Sequence, residues 1–258
     1  MTRSIPILLY HHVAPNRDLT PAAFEAHLAA IQEAGYASLS VDEVVEVLTG
    51  RREAPERAIA ITFDDGYLDN WIYAFPALKR FNIKATLYLV TARIADHAEP
   101  RREHDPDGYL SWAEARVMAS SGLITFGSHT HSHRNFVRSQ PYADIEDELR
   151  RSKGLIEAKL KKPCRHLAWP WGEYERTWWP AVMEAGYESA ATTRSGANTL
   201  GTNPLRLQRL NVSKVEPAWL RGRMRLHDAA ALAGAFGFFH GWDKRMKVWW
   251  KKESPYHD

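Results

Sequence analysis

Two adjacent aspartates, Asp64 and Asp65, follow an apolar run in the segment AIAITFDDGYLDN, residues 58–70. Asp and Gly are common turn formers, so one interpretation is that DDG only ends a strand. The run from Ala58 to Phe63 also reads as a buried strand of a parallel sheet, whose carboxyl end is where α/β folds place their chemistry. Because successive strand side chains face opposite sides, both acids can serve one site only if the chain turns there, which Gly66 permits.

Three histidines lie close together in GSHTHSHRN, directly after the apolar run LITF: His129, His131 and His133. Solvated loop histidines are the alternative, but this position favours a metal site. Imidazole nitrogens and a carboxylate oxygen are ligands of catalytic zinc, which keeps one position open for water. Asp64 or Asp65 with two of the histidines would complete such a set. An extended chain would put all three on one face, whereas a helical turn would bring His129 and His133 together and turn His131 away.

Short apolar runs alternate with amphipathic ones along most of the chain, which predicts βα units on a parallel sheet. About seven strands are expected, and that number favours a complete or incomplete barrel over an open sheet. The polar stretch from Thr91 to Leu110 is expected to form an insertion loop near the strand ends. The predicted strands are IPILLYHH, AIAITFDDG, ATLYLV, LITFGSHTH, HLAWPWG, ESAATT and LRLQRLNV.

The composition limits the class of protein. The 258 residues can bury a substantial core, and no linker argues for a second domain. The net charge of +3 is modest and the basic residues are spread along the chain except at its C-terminus, so nucleic acid is a poor default partner. The single cysteine, Cys164, excludes an intrachain disulfide. With no signal-peptide core and no run of about 18 apolar residues, the sequence predicts a cytoplasmic protein.

Three segments resemble those of the polysaccharide deacetylase family, also called NodB-homology or carbohydrate esterase family four. TFDDG, SHTHSH with its H-T-x-S-H core, and AWPWGEY occur in the family's order and at roughly its distances. The resemblance covers about residues 5–215 and implies a single distorted (β/α) barrel domain, residues 1–215. A C-terminal helix and a basic, Trp-rich tail are expected over residues 216–258.

The same resemblance implies the roles of individual residues. Asp65, His129 and His133 would bind a divalent metal, usually zinc, and Asp64 would be the general base. His131 would be a bystander. The implied reaction is removal of an N-acetyl group from an N-acetylhexosamine in a glycan or glycolipid, such as a cell-envelope or lipopolysaccharide-type sugar.

The position of the general acid departs from the usual family pattern. Many relatives carry this His on a last strand, whereas here His227 follows LRLQRLNV in a segment that reads as a surface-exposed helix. The first strand ends in LLYHHVAP, which resembles a circularly permuted branch of poly-N-acetylglucosamine deacetylases. On that resemblance His11 is the acid. His12 is expected to point to the other face and to be packed there.

The third motif also departs from the pattern. Many relatives have an Arg that pairs with the catalytic Asp, and Ala168 stands in its place. Arg209 or Arg165 could supply the charge, and the sequence does not choose between them. The resemblance further implies that the backbone N–H of Trp171 helps to hold the oxyanion of the tetrahedral intermediate.

Two other functions compete with carbohydrate deacetylation. One is hydrolysis of a different small amide, such as a formylated sugar lipid or a purine-degradation intermediate, although Trp-rich strand ends favour a sugar. The other is a glycan-binding relative without turnover, for which the missing Arg at Ala168 is the argument. The tail interleaves Lys and Arg with Trp242, Trp249 and Trp250, so it could lie on an anionic bilayer or pack on the barrel.

Overall fold

A computed structural model of the chain describes residues 4–103, 105, 107–137, 145–212 and 216–228. Strands and helices alternate along it, as the sequence predicts. The strands are β1 Ile7–Tyr10, β2 Ala37–Leu39, β3 Ala58–Phe63, β4 Ala85–Leu89, β5 Ile124–Ser128, β6 His166–Ala168, β7 Ser189–Ala191 and β8 Leu210–Asn211. The α-helices are α1 Pro21–Glu33, α2 Val41–Leu48, α3 Phe75–Phe81, α4 Trp112–Ser120, α5 Ile145–Leu160, α6 Trp179–Glu184 and α7 Pro217–Asp228.

The strands form one parallel sheet in the order β7-β6-β5-β4-β3-β1-β8. A parallel bridge between Ala191 and Leu207 also joins β7 to the residues that lead into β8. The two ends of the strand order are therefore linked, and the predicted distorted (β/α) barrel is confirmed. The seven predicted strands are present; β2, which pairs with the start of β3, is an eighth that the prediction missed. Three residues between two helices are too short to show alternation.

Alternating strand residues divide the core into two layers. Leu8 and Tyr10 face the helices, where Tyr10 packs against Phe24 of α1 and Phe63 of β3. Ile7 and other residues face the interior of the barrel in a second cluster. That interior is lined by several small side chains, among them Ala60, Ala168 and Ala191. Small interior residues leave room there for larger polar groups.

The position of β1 in the sheet decides which residues meet at the barrel rim. β1 lies between β3 and β8, and Tyr10 is in register with Phe63. The Asp64 N–H donates to the Tyr10 carbonyl at 3.0 Å. The residues that follow, His11 and Asp64, therefore leave the sheet side by side. Strand β1 thus brings His11 to the carboxyl edge, as expected for the permuted branch.

An ion pair with a buried carboxylate holds the insertion loop that the sequence predicts between Thr91 and Leu110. Arg101 donates to Glu114 from its backbone N–H at 2.8 Å and from Nε at 2.9 Å, and Glu114 is fully buried. Bridges tie the loop to the start of α4 and to the turn after β3. The prediction that this loop lies near the strand ends is confirmed for its described residues.

Helix α7 corrects one prediction. His227 is buried, with its Nδ1 2.8 Å from the Ser4 hydroxyl, instead of exposed on the helix surface. It shares the buried face of α7 with Leu220 and Met224, and burial lowers its pKa to about 4. The predicted membrane contact through Trp242, Trp249 and Trp250 lies outside the described residues. Over the part that is described, no helix is long and apolar enough to cross a bilayer.

Candidate active site

Left-handed backbone conformations gather at the carboxyl ends of the strands. Asp65 has a φ of 73° and Gly66 a φ of 77°, so the turn begins at Asp65 itself and not only at the glycine. Thr130, His133 and Trp171 also have positive φ, at 65°, 59° and 61°. Non-glycine residues in this region are strained, and such strain is typical of functional sites. The turn lets the two acids serve one site.

Asp65, His129 and His133 converge there. The Oδ1 atom of Asp65 lies 3.1 Å from His133 Nε2 and 3.6 Å from His129 Nε2. One ligand atom from each residue lies within 4.8 Å of the others. Asp65 Oδ1 is buried and makes no hydrogen bond within the described part of the chain. A buried carboxylate oxygen facing two imidazole nitrogens fits a divalent metal, because a cation would accept the lone pairs of all three atoms.

The neighbours of His129 fix the nitrogen that faces this centre. Its Nδ1 lies 2.7 Å from the Ala168 carbonyl, which can only accept, so Nδ1 carries the proton. Nε2 is then left with a lone pair, as a metal ligand requires. Burial lowers the pKa of His129 and keeps the ring neutral. Ala168, which replaces the expected Arg, thus orients the His129 ring through its carbonyl.

Helix α5 holds the loop between His129 and His133 through one side chain. The carboxylate of Glu148 accepts hydrogen bonds from the backbone N–H groups of His131 and Ser132, each at 2.8 Å. His131 Nδ1 lies 2.9 Å from the Thr91 hydroxyl, away from the centre. The loop follows the second arrangement weighed from the sequence, with His129 and His133 together and His131 turned away. The sequence analysis missed Glu148, because it contacts backbone groups and has no motif spacing.

Arg209 supplies the charge that faces Asp64. Its Nη1 and Nη2 donate to Asp64 Oδ1 and Oδ2 at 2.6 and 2.7 Å, and both side chains are buried. Its Nε donates to the Thr192 carbonyl at 2.9 Å. Burial alone would raise the pKa of Asp64, but Arg209 and His129 outweigh burial and lower it. Arg165, the other candidate, pairs with Asp42 at 3.0 Å elsewhere in the barrel.

The two histidines after β1 differ in their surroundings. His11 is half-buried and lies near Asp64 and Asp65. Burial alone would raise the pKa of Asp65, but His133 and His129, and in smaller part His11, outweigh burial and lower it. His12 is bonded through Nδ1 to Asp69 Oδ2 at 2.6 Å and stacks on Tyr67, with ring centroids 3.6 Å apart. The expectation that His12 is the packed member of the pair agrees with these contacts.

Aromatic side chains surround the centre unevenly. Trp169, Trp112 and Trp178 are buried core residues, whereas Trp171 is 62% exposed. The Trp171 ring lies 5.5 Å from the His133 ring. Tyr67, which the sequence analysis missed, lies close to Asp65: burial and the Asp65 charge raise its pKa. The centre thus has one exposed aromatic face beside it, at Trp171.

Known proteins resemble this chain in sequence. The model of the polysaccharide deacetylase family matches residues 51–190. The protein YxkH of Bacillus subtilis (strain 168) is 30% identical over 211 residues, which make up 81% of this chain and 71% of YxkH. The poly-beta-1,6-N-acetyl-D-glucosamine N-deacetylase of Staphylococcus aureus (strain MRSA252) is 27% identical over 168 residues, 62% of this chain. That match spans 56% of the length of the staphylococcal enzyme.

Solved structures share the fold. The Streptococcus pyogenes deacetylase PplD, in complex with acetate, aligns with a TM-score of 0.75 at 25% identity, over 87% of this chain and 99% of PplD. IcaB from Ammonifex degensii aligns with a TM-score of 0.76 at 22% identity, over 88% of this chain and 98% of IcaB. These alignments, over 87–88% of this chain, place the barrel within a known fold.

Proposed function

Because the chain belongs to the polysaccharide deacetylase family, we propose that it is a metal-dependent hydrolase that removes an N-acetyl group from an N-acetylhexosamine in a glycan or glycolipid. One observation carries the proposal. The lone-pair atoms of Asp65, His129 and His133 converge beside a second carboxylate, Asp64, which Arg209 keeps ionised. Metal-assisted amide hydrolysis uses an activated water, a proton acceptor beside it and a proton donor to the amine.

In this proposal Asp65, His129 and His133 hold the metal, which is zinc or another divalent transition metal. Two imidazoles and one carboxylate are a ligand set of catalytic zinc sites. When bound, the ion lowers the pKa of water and polarises the acetyl carbonyl. The chain's own contribution is to keep His129 neutral through burial and to hold Nε2 toward the centre through the Ala168 carbonyl.

The remaining steps belong to side chains and backbone of the rim. Asp64 accepts the proton of the attacking water. Arg209 keeps its carboxylate ionised, and Asp64 Oδ2 lies 3.9 Å from His129 Nε2, beside the metal site. His11, on the neighbouring strand, donates a proton to the departing amine. The backbone N–H of Trp171 helps to stabilise the oxyanion, and the exposed Trp171 ring offers an apolar face to the C–H face of a sugar.

The competing functions fit these contacts less well. A glycan-binding relative without turnover was suggested by Ala168, but Arg209 delivers a bidentate guanidinium to Asp64 from another strand. Hydrolysis of a different small amide would not require the exposed Trp171 beside His133. The carbohydrate remains the substrate class that the site favours.

Release of acetate tests the proposal. Zinc-loaded enzyme should release acetate from N-acetylglucosamine oligomers, whether β-1,4-linked, β-1,6-linked or lipid-linked, and a chelator should abolish the release. Formylated sugar lipids and small amides are the comparison substrates. If the protein binds the oligomers but releases no acetate, the glycan-binding alternative is favoured. If it hydrolyses only the small amides or formylated sugar lipids, the different-amide alternative is favoured.

Location and domain limits are part of the same proposal. We place the catalytic barrel within residues 1–215 and the accessory helix and tail in residues 216–258, in a cytoplasmic protein that touches the inner face of the membrane through its basic tail. Sedimentation with vesicles of anionic lipid, compared between the full chain and a chain ending at Asp228, tests the membrane contact.

A further inference from the structure

A second polar cavity opens beside the candidate active site. It has a volume of about 180 Å³ and is lined by Arg194, Arg206 and Gln208, together with Tyr174 and Thr202. Pockets for drug-sized ligands are larger, at about 300–1,000 Å³. The cavity is therefore sized for one substituent of a larger ligand.

Its two arginines lack the side-chain partners that most of the other described arginines have. Among the described residues, neither Arg194 nor Arg206 has a side-chain hydrogen bond or an ion pair. Arginines that pair with a carboxylate elsewhere include Arg51, Arg52, Arg80, Arg101, Arg150 and Arg165. Two guanidinium groups that line one small cavity without a counter-charge repel each other, so an anion bound between them is favoured.

Two hydrogen bonds connect residues at or next to the cavity wall with residues of the candidate active site. The wall includes Thr192, whose carbonyl accepts from Arg209, the partner of Asp64. The next residue, Thr193, donates its hydroxyl to the Trp171 carbonyl at 3.3 Å. Thr192 and Tyr174 both follow the carboxyl ends of strands, at the same edge of the barrel as the site. A glycan whose sugar lies on Trp171 would therefore pass this cavity.

We propose that this cavity, the Arg194–Arg206 cavity, binds an oxyanion carried by the glycan, a phosphate or a carboxylate on a sugar near the one that is deacetylated. This inference rests on the proposed function and adds a substrate class to it. Guanidinium groups match the geometry of both oxyanions, and the hydroxyl of Tyr174 adds a hydrogen-bond donor. The preferred substrate is then an anionic glycan.

Matched oligomers test the preference. β-1,6-linked N-acetylglucosamine dimers, trimers and tetramers are prepared with a reducing end that is neutral (alditol), a carboxylate (aldonic acid) or a 1-phosphate, and kcat/KM is measured from acetate release at low salt. For at least one chain length, kcat/KM should be about tenfold higher for one of the charged oligomers than for the neutral one. A charge-assisted contact changes binding by about that factor. The better of the two charged ends identifies the source of the oxyanion.

Two double variants distinguish an effect of this cavity from an effect of the protein's overall charge. The Arg194→Gln/Arg206→Gln double variant should lose the charged-to-neutral preference. The control Arg116→Gln/Arg225→Gln removes the same charge from exposed positions outside the cavity and should keep it. Equal kcat/KM for all three ends at every length in the wild type, or a preserved preference in the cavity variant, would overturn the proposal.

A binding measurement keeps this inference distinct from the proposed function. The melting temperature is compared in sodium phosphate and in sodium chloride of equal ionic strength. Phosphate should raise it in the wild type by about 2 °C more than in the cavity variant. An identical rise in both proteins would refute the anion site. If no oligomer yields acetate, the proposed function fails, while the phosphate comparison still decides whether the cavity binds an oxyanion.

Discussion

Each end of the barrel carries a His–Asp–Arg cluster. At the amino ends of the strands, His166 Nε2 lies 3.2 Å from Asp42 Oδ1, and Arg165 pairs with the same carboxylate at 3.0 Å. At the carboxyl ends, Arg209 pairs with Asp64 beside His129. The arginine lies closer to its carboxylate at the carboxyl end, at 2.6 Å, and the histidine lies farther from it, at 3.9 Å. The side chains of Arg165 and Asp42 are 45% and 31% exposed, whereas those of Arg209 and Asp64 are 0% and 3% exposed.

Backbone and burial distinguish the two clusters, since their residue types are alike. The carboxyl-end cluster sits on left-handed turns at Asp65, Thr130 and His133 and contains a buried oxygen, Asp65 Oδ1, that no described residue satisfies. In the amino-end cluster His166 is also buried, but its Nδ1 lies 2.9 Å from the Ser189 hydroxyl, its Nε2 lies 3.2 Å from Asp42 Oδ1, and solvent reaches Asp42. The carboxyl-end cluster differs by its left-handed turns and by the convergence of lone pairs from three side chains, neither of which is found at the described residues of the amino-end cluster.

The largest difference is expected in turnover. Asp64→Asn should reduce kcat for acetate release by on the order of 10²-fold or more, because a general base is lost while the metal ligands stay. Asp42→Asn is the matched variant at the other end of the barrel and should turn over as the wild type does. Wild-type turnover in Asp64→Asn would remove the distinction between the clusters.

Stability should separate the two arginines. Arg209→Met leaves the Asp64 charge buried without its partner and should lower the free energy of unfolding by about 3 kcal/mol. Arg165→Met removes a partly exposed pair and should lower it by less than about 1 kcal/mol. Urea unfolding measures both. Asp64→Asn/Arg209→Met should recover part of the stability but no activity, whereas equal losses in the two single variants would contradict the assigned burial.

The next effect concerns zinc affinity and Glu148, whose carboxylate bonds to the backbone of the loop between His129 and His133. Glu148→Ala should weaken zinc binding by about 10- to 100-fold, since groups that orient metal ligands commonly contribute that much. Glu148→Gln retains one acceptor oxygen and should restore part of the affinity. Competition with a zinc chelator measures both constants. Unchanged affinity in Glu148→Ala would show that Glu148 only packs α5 against the loop.

The smallest effect concerns pH and the amino-end cluster. The hydrogen bond from His166 and the charges of His166 and Arg165 outweigh burial and lower the pKa of Asp42 to about 2. A depressed carboxyl pKa stabilises the fold above the unfolded value near 4, and that stability is lost as pH falls from about 4 to 2. Asp42→Asn should flatten the pH dependence of unfolding in that window by about 1 kcal/mol. A profile identical to the wild type would contradict the shift.

The sequence supports the prediction of much of the fold and of the residues that converge as candidate metal ligands, because both depend on local patterns. Alternating apolar runs indicate the strands, and Asp65, His129 and His133 follow strands directly. Arg209 could not be chosen over Arg165, since it lies 145 residues from Asp64 and only the closed barrel brings the two together. The role of Glu148 could not be predicted, because its carboxylate bonds to backbone N–H groups and belongs to no sequence motif. His227 was misjudged although Leu220, Met224 and His227 have the spacing of one helix face.

The metal content of four proteins tests the central claim most directly. Wild type, Asp64→Asn, His131→Ala and His133→Ala are loaded with zinc, passed through a desalting column and analysed for zinc per chain. The convergence of Asp65, His129 and His133 predicts one zinc in the first three proteins and none in His133→Ala. Zinc retained in His133→Ala and lost in His131→Ala would contradict the assignment and, with it, the proposed mechanism.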